Sequence, residues 1–149
     1  MNDEIAGDEV VWGTAALDAQ REEARRHQAR LAGERTTWIV RNRYYYEMIV
    51  AALRFIIEPG KRVLNVQCEN GLLLDRVDPS YGVGTEITGE MVAEAERQTG
   101  RHIFRVADPE ALGIDETFDY VLLNNVNHIT DVLLAFRGIA NTCEAHTRL

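Results

Sequence analysis

The sequence has little of several features that would mark a special class of protein. It contains two cysteines, Cys68 and Cys143, and their separation fits neither a zinc site nor a disulfide framework. Low cysteine usage is typical of a reducing compartment. No apolar run approaches the ~20 residues of a membrane helix, because Arg54 interrupts the best stretch, residues 48–57. The acidic start, residues 1–4, lacks the apolar core of a secretory signal, so we expect a cytoplasmic protein without a membrane segment.

Positive charge is scarce as well: 16 lysines and arginines stand against 24 aspartates and glutamates, a net charge of −8. Most of the acidic excess falls after Gly60. Such a chain repels a phosphate backbone at long range, so nucleic acid is not the expected partner. With 46% hydrophobic and 27% charged residues, the composition excludes a disordered chain, a coiled coil and a collagen-like fibre. The 149 residues are enough for one domain with a core.

The first part of the chain has a helical pattern. Residues 1–13 are acidic and are interpreted as a loose arm. Thr14 is a candidate N-cap of a helix that runs to about Leu31 and stops at Gly33. Because its apolar residues recur only every seven positions, we expect a solvated helix that touches the rest of the molecule along one edge. A second helix, with a wide apolar face, is predicted over residues 38–57.

After Gly60 the pattern changes to strands that alternate with helices. Such alternation predicts parallel strands joined by right-handed crossovers, with helices on both faces of one sheet. The predicted fold is therefore α/β and Rossmann-like, with an N-terminal helical extension. We divide the chain into an arm and solvated helix, 1–35, and a Rossmann-like domain, 36–149. The predicted strands are 62–66, 81–87, 102–106 and 118–123, and a fifth begins at Thr147.

The chemically informative stretch follows the first predicted strand. A buried strand runs into a turn at residues 67–71, and a helix begins at Gly71. Glu86 stands at the end of the second strand, where a carboxylate can accept hydrogen bonds from ribose hydroxyls. Nucleoside-binding α/β folds hold their ligand at this edge, so the sequence predicts a nucleoside site beside Glu86. The alternative interpretation of Glu86 is an exposed carboxylate at the end of a strand.

With these segments, residues 44–149 resemble the class I S-adenosylmethionine-dependent methyltransferases. The resemblance implies S-adenosylmethionine as cofactor, methyl transfer to an acceptor, and a seven-stranded, mostly parallel sheet with the cofactor over its first four strands. The segment at 41–46 resembles members fused upstream of a family 2 glycosyltransferase, which implies a small-molecule or carbohydrate-related acceptor. The segments that carry the resemblance are 63–71, 82–91, 105–112 and 118–126.

Carried over residue by residue, the resemblance implies three contacts with the nucleoside. Glu86 holds the ribose, Ile87 packs on the adenine, and Asp108 bonds the adenine amino group. Asn124 and Asn125 border the methionine end and the acceptor. The cofactor loop after the first strand supplies the remaining binding positions, namely Gln67, Cys68, Glu69 and Gly71.

The cofactor loop departs from the family pattern of acidic–x–Gly–x–Gly–x–Gly, in which this chain has Asn65, Gln67, Glu69 and Gly71. Gln67 adds a side chain where the ligand would lie. The Glu69 carboxylate would repel the carboxylate of the cofactor. These changes favour an alternative function, a catalytically inactive methyltransferase-fold module that acts as a binding partner or incomplete subunit. A third alternative, an NAD(P)-binding Rossmann protein, would need a glycine-rich pyrophosphate turn.

The chain also departs from the family in length, because it stops where strand five begins and is thus truncated relative to the family. With the sheet order 3-2-1-4, strand four would expose an open edge. That edge predicts one of three things: a homodimer through it, a chain that is a fragment of a longer protein, or last residues that cover it. His128 follows strand four, where a general base could stand, and it is a catalytic candidate together with Asn125. A lone histidine there is also typical of a loop or cap. No metal site is predicted.

Overall fold

The computed structural model describes residues 14–149, so the arm predicted over 1–13 lies outside the described residues. Two helices precede a region in which strands and helices alternate. Within residues 14–149 no helix combines the length and apolarity needed to cross a membrane. The elements are α1 (Thr14–Arg41), α2 (Arg43–Ile56), β1 (Arg62–Val66), α3 (Leu72–Arg76), β2 (Tyr81–Glu86), α4 (Gly89–Thr99), β3 (Ile103–Val106), a short 3-10 turn (Pro109–Ala111), β4 (Phe118–Leu123), α5 (Val132–Ala140) and β5 (Cys143–Arg148).

The five strands form one parallel sheet in the order β3-β2-β1-β4-β5. This confirms the Rossmann-like α/β fold, the order 3-2-1-4 and the presence of a fifth strand. The predicted start of that strand at Thr147 is wrong, because β5 begins at Cys143 opposite Phe118. Residues 144–146 are exposed and carry no apolar pattern, so backbone pairing with β4 places them in the strand. The sheet edge predicted at strand four is therefore covered by β5.

The boundary between the first two helices also differs from the prediction. Gly33 does not end α1, which continues to Arg41. A glycine inside a helix costs about 1 kcal/mol relative to alanine. Burial of Ala32 and Ile39 on either side of Gly33 outweighs that cost. The break falls at Asn42, whose side-chain amide donates to the Trp38 carbonyl at 2.8 Å. The predicted domain division between 35 and 36 lies within α1.

Apolar side chains pack on both faces of the sheet, as the alternation of strands and helices predicted. On one face, α2, α3 and α4 contribute to a cluster with Val63 and Phe104. On the other face, α5 and the segment before β4 pack against Leu64 and Val83. Thr88 caps the N-terminus of α4, since its hydroxyl accepts the Met91 N–H at 3.3 Å. The core thus fixes the strands, and their carboxyl ends meet along one edge.

Candidate functional site

The loop after β1 has an unusual backbone. Gln67, Glu69 and Gly71 have φ angles of 56°, 55° and 78°. This left-handed conformation costs a non-glycine residue roughly 1–2 kcal/mol. The turn is held by two backbone hydrogen bonds of 2.9 Å, from the Cys68 N–H to the Thr85 carbonyl and from the Gly71 N–H to the Cys68 carbonyl. The chain thus keeps three alternating left-handed positions although two of them lack glycine.

Glu86 ends β2, and its side chain is fully buried. One carboxylate oxygen accepts the Glu69 N–H at 2.6 Å, and the other accepts the Ile87 N–H at 3.3 Å. The Gln28 side chain, from α1, also lies beside this carboxylate and acts to lower its pKa. Burial raises the pKa of Glu86 to about 7, although these three groups act in the opposite direction. Glu86 therefore lies beside the loop as predicted, and the alternative of an exposed carboxylate is wrong.

Asp108 follows β3 at the same edge of the sheet. One of its carboxylate oxygens accepts the Glu110 N–H at 2.9 Å and so begins the short 3-10 turn. The other accepts a hydrogen bond of 3.1 Å from the Arg25 guanidinium of α1. Ile87, which follows Glu86, is buried with 7% of its surface exposed. Of the two acidic residues predicted to face a nucleoside, Asp108 thus binds Arg25 of α1, and Glu86 lies beside Gln28 of the same helix.

The two unusual loop residues lie in different surroundings. Glu69 forms an ion pair with Arg35 and accepts the Tyr46 hydroxyl at 3.3 Å. Its negative charge is therefore balanced from within the chain, which the sequence analysis did not foresee. The Gln67 side chain is fully buried, and among the described residues its amide has no hydrogen-bond partner. Gln67 is thus buried like Glu86, and the expectation that its side chain occupies the ligand's space stays a prediction.

Helix α1 supplies the contacts that the sequence analysis missed. Its inner face carries residues three, four or seven positions apart, so that they project to one side of the helix. A solvated helix was predicted here, and the prediction holds for the outer side, where Arg26 and Arg30 form exposed pairs within the helix. The sequence does contain an indication of these contacts. Polar residues recur at helical spacing along α1, and acidic residues stand at the ends of the strands. The inner polar residues are Arg21, Arg25, Gln28 and Arg35, and Thr36 beside them bonds Glu94.

Glu110 joins α1 to the loop after β4. Its Oε2 accepts from Nε of Arg21 at 3.0 Å. Its Oε1 accepts from the Thr130 hydroxyl at 2.7 Å and from the Asp131 N–H at 2.8 Å. Burial by itself would raise the pKa of Glu110, but the bonds from Thr130, Asp131 and Arg21 outweigh it and lower the pKa to about 2. Glu110 is thus an ionised anchor under two elements.

A cleft of about 750 Å³ opens between α1, α2, the loop after β1 and the loop after β4. Burial lowers the pKa of His128, and the nearby His27 lowers it further, so the His128 imidazole is neutral at pH 7. Asn125 and His128, the two catalytic candidates, therefore share one cavity with Glu69. Lining residues that reach the cleft include His27, Trp38, Tyr45, Asn124, Asn125 and His128.

Other chemistries find no support at this edge. Burial raises the pKa of the Cys68 thiol well above its usual value, so Cys68 is a packed thiol rather than a nucleophile. Within residues 14–149 no cluster of three or more His, Cys, Asp or Glu side chains is arranged to hold a metal ion. The groups at this edge of the sheet are thus those of a ligand site, and the neutral imidazole of His128 lines the same cleft.

Comparison with solved structures places this geometry among proteins of known fold. The DhpI protein in complex with SAH is 17% identical, with a TM-score of 0.71 over 88% of this chain and 65% of that one. Magnesium protoporphyrin IX methyltransferase from Synechocystis PCC 6803, with bound SAH, is 18% identical, with a TM-score of 0.66 over 84% and 68%. The YcgJ protein from Bacillus subtilis is 22% identical, with a TM-score of 0.56 over 64% and 45%.

The chain thus spans 45% and 65% of the lengths of the YcgJ and DhpI proteins. No curated protein matches the sequence. A family profile described as a methyltransferase domain matches residues 64–146, which run from β1 into β5. Because this segment is more than half of the chain, the protein belongs to the methyltransferase domain family.

Proposed function

We propose that this protein binds S-adenosylmethionine and transfers its methyl group to a small-molecule acceptor. The observation that carries the proposal is the loop after β1. Gln67, Glu69 and Gly71 keep left-handed φ angles at the three positions where the family pattern has glycine. Two residues without that preference are held there at an energetic cost, and such outliers cluster at ligand sites. The related structures that contain SAH support the same choice of ligand.

The residues present fit the cofactor. Of the two objections raised by the sequence, the Glu69 charge is balanced by Arg35. Gln67 lines neither the cleft of about 750 Å³ nor a second cleft of about 540 Å³ that contains Asp108. Glu86 would hold the ribose hydroxyls and Asp108 the adenine amino group. Ile87 would pack on the adenine, and loop 67–71 would surround the methionine end. When bound, S-adenosylmethionine supplies an electrophilic methyl group on a sulfonium centre.

The acceptor is proposed to enter the 750 Å³ cleft. Trp38 and Tyr45 offer ring surfaces there, and Asn124 offers amide hydrogen bonds. His128, neutral at pH 7, can accept a proton at a ring nitrogen from an acceptor hydroxyl or amine. These residues would orient the acceptor, and orientation is a large part of what a methyl transfer requires from the protein. A carbohydrate-related acceptor, inferred from the similarity at 41–46, stays a prediction.

The proposal is tested by calorimetric titration with S-adenosylhomocysteine. The wild-type protein is expected to bind, and Glu86→Gln to bind at least about tenfold more weakly, because a hydrogen bond to a charged group contributes about 1.5–3 kcal/mol. Glu90→Gln is the matched control, since it removes the same charge from an exposed position in the first turn of α4. No heat from the wild-type protein at millimolar ligand would reject the proposed function.

The second candidate function is a methyltransferase-fold module that has lost catalysis and binds a partner. It is favoured by the engagement of Glu86, whose two carboxylate oxygens already accept hydrogen bonds within the chain. The same titration separates the two candidates, since such a module would give no heat with S-adenosylhomocysteine. The NAD(P)-binding alternative has no observation in its favour.

We also propose that a second copy of this chain pairs along β5. Strand β5 borders the sheet, and most of its residues are exposed. The adjoining helix α5 exposes the apolar side chains of Val132, Leu133 and Phe136. A strand edge beside an apolar helix face is the kind of surface on which another sheet extends.

A further inference from the structure

We propose that α1 keeps the nucleoside part of the site closed by occupying its polar groups, and that the cofactor must displace the first half of α1 to bind. This inference rests on the proposed function. Arg25 pairs with the carboxylate assigned to the adenine, Asp108, and the Gln28 side chain lies beside the buried carboxylate assigned to the ribose, Glu86. One face of one helix thus meets both groups that the nucleoside would meet.

Burial makes the two occupants mutually exclusive. Glu86 has no exposed surface, and Gln28 is 3% exposed. A ribose hydroxyl needs a heavy-atom distance of about 2.7–2.8 Å to a carboxylate oxygen. It cannot reach Glu86 while that carboxylate stays fully covered, and the buried Gln28 side chain of α1 lies beside it. Binding of the nucleoside therefore requires α1 to move.

The course of α1 agrees with this competition. One flank of the helix, with Glu23 and His27, borders the 750 Å³ cleft that leads to the acceptor side. The other flank, with Arg21 and Arg25, borders a second cleft of about 540 Å³ that contains Asp108. The helix thus runs between the methionine end and the adenine end of the proposed site. Removal of its first half would join the two clefts into one elongated groove.

The two halves of α1 are held in different ways. Within the described span 15–31, Gln28 is the only buried side chain, and Arg21 and Arg25 form ion pairs with carboxylates outside the helix. The Arg25–Asp108 pair is partly exposed, with 43% and 22% of the side chains accessible, and such pairs contribute little. Ala32 and Ile39, by contrast, are buried. Polar contacts can be replaced by a ligand or water, so the first half is the part that leaves.

Gly33 lies close to the junction of these halves. It is exposed, and a Cβ atom placed on it would find open space within 4 Å. Packing therefore does not require glycine at this position. Glycine weakens the helix locally by up to about 1 kcal/mol relative to alanine. A bend at Gly33 would release residues 15–31 and leave the packed second half in place.

The test compares S-adenosylhomocysteine affinity between the wild-type protein, an Arg25→Ala/Gln28→Ala variant and an Arg26→Ala control. The double variant removes the contacts that compete with the nucleoside and is expected to bind about tenfold more tightly, because less binding energy is needed to reach the open state. Arg26 lies on the outer face of α1, where it pairs with Glu22. The control is therefore expected to bind like the wild type.

Hydrogen exchange supplies a readout that does not depend on activity. Ligand addition to the wild-type protein is expected to speed exchange in residues 15–31 and leave residues 43–56 unchanged. Equal affinity of the double variant and the wild type, or slower exchange in 15–31 on binding, would overturn the closure while the proposed function stands. Absence of binding to every protein would reject the proposed function and the closure together.

A second variant covers the case in which the double variant does not fold. Arg21→Ala releases the first half of α1 from Glu110 without touching Glu86 or Asp108. It is expected to tighten ligand binding in the same direction as the double variant. Thermal melting by circular dichroism establishes that each variant is folded, and unchanged affinity in a folded Arg21→Ala protein would contradict the closure.

Discussion

Two buried carboxylates of this protein respond to pH in opposite directions. Glu86 has a folded-state pKa of about 7, above its ordinary value of 4.5, so the folded protein holds the proton more tightly than the unfolded chain. The protonated Glu86 therefore contributes to the stability of the folded state. This contribution is complete below pH 4.5 and is lost as the pH rises through 7. Glu110 has a folded-state pKa of about 2, so its contribution is present above pH 4.5 and is lost as the pH falls towards 2.

We therefore expect the two variants Glu86→Gln and Glu110→Gln to change stability in different pH windows. Relative to the wild type, the free energy of unfolding of Glu86→Gln should increase between pH 4.5 and 7, by on the order of 3 kcal/mol at pH 7. Glu110→Gln should lose stability at pH 7 by a similar amount and approach the wild type near pH 2. Urea unfolding across this range measures both differences, and parallel curves for the three proteins would contradict the assignment.

At the same scale, two of the site residues could be placed from the sequence and two could not. Glu86 and Asp108 follow predicted strands, so parallel pairing alone brings them to one edge. The surroundings of Gln67 and Glu69 depend on backbone angles set by the turn and on Arg35, which lies on a distant helix. No local sequence pattern reveals these backbone angles or the pairing with Arg35. The sequence therefore predicted repulsion by Glu69 without the arginine that balances its charge.

Among the elements, α1 differs most from its prediction. Hydrophobic periodicity identifies a helix face that packs on apolar groups. The inner face of α1 instead binds carboxylates through Arg21, Arg25 and Arg35. In a sequence, an arginine that pairs with a carboxylate cannot be distinguished from an arginine that faces solvent. The strands were predictable because their apolar residues are local and continuous. The role of α1 was not, because the carboxylates bound by its three arginines lie 89, 83 and 34 residues away along the chain.

Glycine substitutions distinguish a helix position from a turn position. Gly33→Ala should stabilise the protein by roughly 0.5–1 kcal/mol, because the position is helical and surrounded by open space. Gly71→Ala should destabilise it by at least about 1–2 kcal/mol, because Gly71 has a φ of 78° and its Cβ would come within 2.8 Å of the Thr99 hydroxyl. Chemical denaturation measures both changes, and a loss of stability in Gly33→Ala would contradict the helical assignment.

For the whole molecule, the proposed pairing of two copies along the edge strand β5 determines the oligomeric state. If a second copy pairs there, light scattering at micromolar concentration should give twice the 16.9 kDa mass of the chain. Leu133→Glu on α5 should shift the mass towards the single chain, because a charge would enter the apolar part of the contact. Glu144→Gln, which changes charge on exposed β5, serves as a comparison. A single-chain mass for the wild type would reject the dimer.

The arrangement around Glu110 has a consequence for how the closing helix and the acceptor side are coupled. One oxygen of this carboxylate serves Arg21 on α1, and the other serves Thr130 and Asp131. Departure of α1 vacates the first oxygen only. The loop that carries His128 therefore keeps its hydrogen bonds to Glu110 when α1 leaves. Helix α1 and this loop share one anchoring side chain, but movement of the helix does not require movement of the loop.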